Sequence, residues 1–319
     1  MKKLIVTRHL KVLFFQQQRQ TPARLKNENL LFEIVPDRLA SPCHNKLRCT
    51  GDRNEVSGVH DGTGSYQIPD VTLAQEVQRL RTQMALTWSR EAERLGAWGI
   101  AKSRALLELG SGPGCVTQEL LALAPQAQIT TLEVDPRMCA AAEQVLADAP
   151  SRWHSVNASI MATGLPDASH DFALARYLFQ HLSDPAGAAQ EVWRVLTPGS
   201  PFVIIDIDEA WSILLDPPLV ADQRQRLAAA AQQAMQGGNR YIGRRLPRIL
   251  QSSGFQISHF ETVILHNEII GYGPFLASLA PVGASGADEN ARMEALCAFI
   301  AEKKPIVMLQ LFLACGIKS

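Results

Sequence analysis

The chain has 319 residues, 46% hydrophobic and 19% charged, the balance of a globular protein with a sizeable core. Lys plus Arg equals Asp plus Glu at 31 each, so no global charge points to nucleic acid or an anionic membrane as partner. No apolar run approaches the ~20 residues of a membrane span, and the six cysteines lack C-x-x-C or zinc-site spacing, which reads as reduced thiols and no metal.

Charge is uneven along the chain. Residues 1–60 carry 11 Lys/Arg against 5 Asp/Glu, so residues 1–64 are expected to form a basic N-terminal extension, helical or extended. The opening MKKLIVTRHLKVLFF has its apolar stretch broken by Arg8, His9 and Lys11, and no small-residue cleavage site follows, which argues against a secretory signal. Glu28 is the only acid in the first 32 residues, so a mitochondrial presequence stands as the alternative to a cytoplasmic location.

From Val71 to Trp98, Leu73, Val77, Leu80, Met84, Trp88, Ala92 and Leu95 recur at three- and four-residue spacing, the stripe of an amphipathic helix or two in series. A helical cap is therefore expected over 65–102. Strand and helix signals then alternate. Strands are expected at 105–109, 128–133, 153–157, 172–176 and 202–206, and helices at 116–124, 136–147 and 185–196. That rhythm implies βαβ units and a parallel sheet covered by helices on both faces. A helix at 243–252, a strand at 255–265, a helix at 287–301 and a last strand at 306–314 complete the chain. Stretches near 210–240 and 266–303 are spare to the sheet and are expected to cover a substrate at the carboxyl ends of the strands.

The strongest local signal is the run from Leu106 to Val116, in which a buried strand enters Gly110, Gly112 and Gly114 and then a helix. Glycines there permit positive φ and let a ligand approach the backbone, while the helix start offers free N–H groups. A tight turn without ligand is the plain alternative. The next strand ends at Glu133, with Asp135 just beyond, about 20 residues on, where a carboxylate can accept from both hydroxyls of a ribose. Asp135, followed by Pro136, can equally start a helix. Cys115 stands where a dinucleotide loop has its third glycine, so the spacing suits a ligand without phosphates.

With these segments in hand, the chain resembles class I S-adenosylmethionine-dependent methyltransferases over about 65–265. LELGSGPG (107–114) resembles the family's motif I and TLEVDP (131–136) its ribose-binding motif. GLPDASHDFALARYLFQHLSDP (164–185), EVWRVLTPGSPFVIID (191–206) and GRRLPRILQSSGF (243–255) are similar to the segments that follow in the same order. The resemblance implies a Rossmann-like, seven-stranded, mostly parallel sheet with the last strand antiparallel, in a methyltransferase domain over 103–319. It implies S-adenosylmethionine as cofactor, with Glu108, Gly110, Ser111, Gly112 and Gly114 on the methionine side and Glu133 and Val134 at the ribose. Ser159 stands where such members often have Asp for the adenine amino group, and Ile160 can offer its backbone N–H. Arg176 is placed on the cofactor cleft, and Gln83, together with Tyr66, matches a leading region that approaches the cofactor.

Methyl transfer from a sulfonium is an in-line substitution, so alignment and exclusion of water are the main requirements, and a base is needed only where the nucleophile carries a proton. His181 and Tyr66 are the candidate catalytic residues; His181 can as well be a packing residue of its loop. The acids Asp206, Asp208 and Glu209 at the fifth strand's end can bind a metal or cap loops, and the second reading is preferred. His266, Asn267, Tyr272, Trp211 and Phe275 can line a substrate pocket or serve the surface and core.

The expected reaction is methylation of a small organic acceptor, of secondary-metabolite, aromatic or terpenoid type, without nucleic acid or membrane and with a homodimer as an open arrangement. RNA or protein methylation is the alternative, as is a methyltransferase-like fold that keeps the cofactor for a non-methylating cyclisation.

Overall fold

The computed structural model describes residues 73–149, 151–208, 210–211, 213–217, 237–273 and 296–319. In chain order these form α1 (Leu73–Ala97), β1 (Ala105–Leu109), α2 (Cys115–Leu123), β2 (Gln128–Glu133), α3 (Pro136–Val145), β3 (Trp153–Asn157) and β4 (Phe172–Arg176). Then come α4 (Pro185–Val195), β5 (Pro201–Asp206), β6 (Ile213–Asp216), α5 (Leu246–Ser252), β7 (Phe255–His266), α6 (Asn267–Ile270) and β8 (Ile306–Lys318). Residues 296–303 are helical as well.

The sheet is the expected Rossmann-like one. Strands β3-β2-β1-β4-β5 run parallel, and β8 joins β5 antiparallel, from Pro201 opposite Ile317 to Asp206 opposite Phe312. Strand β7 pairs antiparallel with the other edge of β8 and so runs with the parallel set. The one addition is β6, four residues that continue the β5 edge of β8 through Ile213–Leu309 and Asp216–Ile306. It was missed because a short strand flanked by Pro217 and Pro218 carries too few residues to show a period.

The central strands alternate between two apolar layers. Leu107, Leu109, Ala173, Ala175, Phe202 and Ile204 face the α4–α5 side with Val192, Val195, Leu246 and Leu250. Leu106, Ile129, Phe172, Leu174, Val203 and Ile205 face Met84 and Leu95 of α1, Leu120 of α2 and Leu146. Burial on both faces is why these strands read as nearly continuous apolar runs. Two Asp-Pro pairs start helices: Asp135 accepts from the Arg137 N–H and Asp184 from the Gly187 N–H, each with Pro at the first helical position. Asp135 is therefore a helix cap.

The stripe 71–98 forms one helix, α1, at 73–97. The segment 243–252 opens with a 3-10 turn, Gly243–Arg245, before α5. The last strand runs four residues past the expected end.

Candidate active site

The glycine loop leaves β1 at its carboxyl end. All three glycines have positive φ: 64° at Gly110, 54° at Gly112 and 78° at Gly114. They do different work. A Cβ at Gly110 would stand 3.0 Å from the Leu178 side chain, and one at Gly114 3.0 Å from Leu146 and 3.1 Å from Ala142. A Cβ at Gly112 would meet no atom of the described residues within 4 Å. Two glycines are thus required by packing, whereas the middle one faces a free volume at the start of α2. The Ser111 hydroxyl beside it is buried without a hydrogen-bond partner, a donor held ready for something polar.

Glu133 faces this loop from the end of β2. Its Oε2 accepts from the Gly112 N–H at 2.9 Å and its Oε1 from the Asp135 N–H at 2.9 Å. Each carboxylate oxygen keeps a second lone pair, so the group can still accept from a vicinal diol. Burial pushes the Glu133 pKa up, opposed by these amides. Asn157 at the end of β3 donates to the carbonyls of Glu133 and Val134 at 2.8 and 3.0 Å and so sets the corner that aims the acid. Val134 is an exposed apolar side chain next to it, suited to stack on a flat ring. The Ser159 hydroxyl accepts from the Met161 N–H at 3.2 Å, and Ile160 has its side chain in the core.

Under the loop lies a charged cluster. Glu108 is buried and accepts from the Thr117 hydroxyl at 2.6 Å. Loss of hydration raises its pKa to about 8, against the pull of Thr117 and Arg176. Arg176, the last residue of β4, donates through Nε to Glu91 at 2.7 Å and through Nη2 to Glu91 at 3.0 Å and Thr87 at 2.9 Å. Its guanidinium also lies 4.4 Å from the centre of the Tyr177 ring, and Tyr177 has φ of 53°.

At the end of β5, Asp206 and Asp208 are fully buried. Asp206 accepts from the Ile207 and Gln180 N–H groups at 2.9 and 3.0 Å, and burial raises its pKa to about 7. Asp208 accepts from Arg244 Nε at 2.6 Å and from the Arg244 and Ala210 N–H groups. His181 ends the 3-10 turn Phe179–His181; burial, reinforced by the Arg240 charge, lowers its pKa to about 4. At neutral pH it is an uncharged imidazole of low basicity. Among the described residues no group of three or more His, Cys, Asp or Glu is arranged to hold a metal ion.

Residues 107–204 match the methyltransferase domain family model, and that span covers the glycine loop, Glu133 and the β4–β5 rim. Residues 107–204 thus carry a methyltransferase domain, and the match supports an S-adenosylmethionine-dependent enzyme of class I. It is 27% identical over 140 residues to a demethylmenaquinone methyltransferase of Chlamydia pneumoniae, covering 43% of this chain and 58% of the relative. It is 31% identical over 143 residues to a malonyl-[acyl-carrier protein] O-methyltransferase of a Paenibacillus species, covering 44% and 49%. The chain spans about half the length of the curated relatives it matches. A solved Bacillus halodurans protein, assigned as a methyltransferase, superposes with a TM-score of 0.50 at 12% identity over 72% of this chain and 98% of its own, a likeness of fold.

The structure gathers Glu108, Gly110, Ser111, Gly112, Gly114, Glu133 and Val134 around one loop, with Ser159 and Ile160 in the turn after β3. Arg176, expected on the cofactor cleft, has its guanidinium bonded to Glu91 and Thr87 of α1. Gln83 lies half-buried on α1, one residue before the buried Met84. His266 caps α6, while Asn267 accepts from the Val307 N–H and the Tyr272 hydroxyl donates to the Pro305 carbonyl, so the last two tie α6 and the residues after it to the start of β8. Trp211 is exposed. Tyr66, Glu209 and Phe275 lie outside the described residues, as do the extension 1–64 and much of both cover stretches.

Sequence reasoning missed Glu91, Thr87 and Asn157. Glu91 had a signal: it sits at helical spacing with Met84, Thr87 and Leu95, all buried, so an acid stands on the buried stripe.

Proposed function

We propose that this chain binds S-adenosylmethionine on the Gly110–Gly114 loop and catalyses methyl transfer to a small organic acceptor. The observation that carries the reading is the pairing of an open, positive-φ Gly112 with a Glu133 carboxylate bonded to its N–H. S-adenosylmethionine supplies an electrophilic methyl on a sulfonium. The loop offers backbone against its methionine part, with the Ser111 hydroxyl and Glu108 nearby. Glu108 has only a neutral hydrogen-bond partner and a raised pKa, so an ammonium group beside it would favour its ionised form. Glu133 accepts from the ribose hydroxyls, while Val134 and the Ser159–Ile160 turn flank the adenine.

The acceptor approaches over the rim of β4 and β5. A buried, aligned pair of reactants needs little else, because orientation and exclusion of water lower the barrier to an in-line substitution. His181, uncharged at neutral pH, and Tyr66 are the proposed candidates where a proton must be taken. The acceptor class is supported by relatives named for demethylmenaquinone and malonyl-[acyl-carrier protein], which suggest a quinone-type ring or a carboxyl group, the latter borne on a carrier. A cytoplasmic setting is supported by free thiols at Cys115, Cys139, Cys297 and Cys315. Among the described residues no helix is long and apolar enough to cross a membrane.

The test is formation of S-adenosylhomocysteine from S-adenosylmethionine with a panel of quinols, phenols, terpenoid alcohols and carboxylic acids. Acceptor-dependent product supports the reading. Cofactor consumption only with RNA or protein replaces the acceptor class.

A further inference from the structure

Helix α1 reaches the site through a buried ion pair. Glu91 is fully buried and grips Arg176 with both oxygens, and Thr87, one turn earlier, takes a third donor of the same guanidinium. The next links follow along the chain. Arg176 is the last residue of β4, and its guanidinium lies on the ring of Tyr177. Tyr177 adopts φ of 53°, a conformation that costs a non-glycine residue free energy and persists only where surroundings fix it. Its N–H is fixed to the Ile205 carbonyl at 2.8 Å. The following residue, Leu178, puts its side chain against Gly110, at the distance where a single added methyl would collide.

A continuous path thus runs from α1, through Arg176 and the strained Tyr177, to the first glycine of the cofactor loop. A merely structural pair is the alternative, and a bare apolar pair would fill that role at least as well, since desolvating two charges offsets most of their attraction. The fork of Arg176 instead supplies what an apolar contact lacks, a fixed plane on which the Tyr177 ring is held.

We propose that Glu91 is a positioning residue for the cofactor: acting through Arg176, it holds the Tyr177–Leu178 turn against Gly110 and thereby sets the affinity for S-adenosylmethionine. The inference rests on the reading of the glycine loop as the cofactor site. By reciprocity, occupancy of the loop stabilises the α1 contact.

The test uses the full chain, titrated calorimetrically with S-adenosylmethionine, with circular dichroism and thermal melting as the check on folding. Glu91→Gln removes the charge and leaves Arg176 buried and unmatched, which can unfold the chain. The variant that decides is therefore the double replacement Glu91→Gln with Arg176→Met, which removes both charges. The expected result is a folded double variant whose dissociation constant is weaker by about tenfold or more, with Arg176→Lys weakened similarly because an ammonium cannot form the fork. A folded double variant, or Arg176→Lys, that binds as the wild type does overturns the proposal.

A second measurement needs no variant. Hydrogen exchange of the wild-type chain is expected to slow at amides 87–95 of α1 when S-adenosylmethionine is added; unchanged exchange there despite binding also overturns the proposal. If the wild type itself binds no S-adenosylmethionine, it is the cofactor assignment that fails.

Discussion

The two ends of the sheet's rim use their acids differently. On the β1–β2 side, Glu133 accepts from the Gly112 and Asp135 N–H groups, and the loop opposite has free volume at Gly112 among the described residues. On the β5 side, Asp206 is bonded to two N–H groups in full burial, and Asp208 is neutralised by Arg244 and two more N–H groups. Glu133 keeps acceptor capacity beside the open Gly112; Asp206 takes one N–H on each oxygen as Glu133 does but is closed off by burial, and Asp208 spends its acceptor capacity on Arg244 and the turn after β5. An acid at a strand's carboxyl end is therefore a binding group or a scaffold according to what its remaining lone pairs face.

The sharpest way to break this contrast is Gly112→Val. Among the described residues nothing lies within 4 Å of a Cβ there, so melting is expected to fall only by the few degrees that a positive φ costs, while S-adenosylmethionine binding drops by about 100-fold or more. Undiminished binding would mean that the free volume is not the ligand's place. Glu133→Ala comes next, with an expected loss of roughly 30-fold in cofactor affinity, read by the same titration, as a buried two-hydroxyl contact is removed. Asp208→Asn is the converse experiment. Breaking its bond to Arg244 is expected to cost about 1–3 kcal/mol of stability in urea denaturation, with cofactor affinity held within about twofold. A large affinity loss would move Asp208 into the binding group.

The smallest expected effect is one of pH. Glu108 keeps its proton in the folded chain up to about pH 8, against an ordinary value of 4.5. The folded form therefore binds more protons than the unfolded one between those values, and stability falls as pH rises across that window. Glu108→Gln is expected to melt about as the wild type does near pH 4.5 and a few degrees higher near pH 8.5. Equal melting at both pH values would show that Glu108 is ionised in the folded chain.

Much of the parallel sheet was legible because each β–α unit carries its own punctuation. The glycines of 110–114 mark a turn that only positive φ closes, and Asp135-Pro136 and Asp184-Pro185 mark helix starts whose caps are local. The placing of Glu133 opposite the loop was legible for the same reason: it follows from its distance along the chain from the glycines. What escaped were pairings between residues far apart in sequence. Glu91 and Arg176 are separated by 85 positions, and Asp208 and Arg244 by 36, and no period or motif joins them. Arg176 was accordingly expected at the cofactor, where its position on β4 directs it, and its partner on α1 came only with the fold. His181 was legible as a histidine near the site, but its low basicity arises from burial beside Arg240, a tertiary property.

The central claim, that the loop from Gly110 to Gly114 with Glu133 holds S-adenosylmethionine, is tested most directly by one calorimetric comparison of the wild type and Gly112→Val. The account predicts one site of micromolar affinity in the wild type and its loss in a variant that melts within a few degrees of it. Failure of the wild type to bind S-adenosylmethionine, or equal binding by the two proteins, would contradict it.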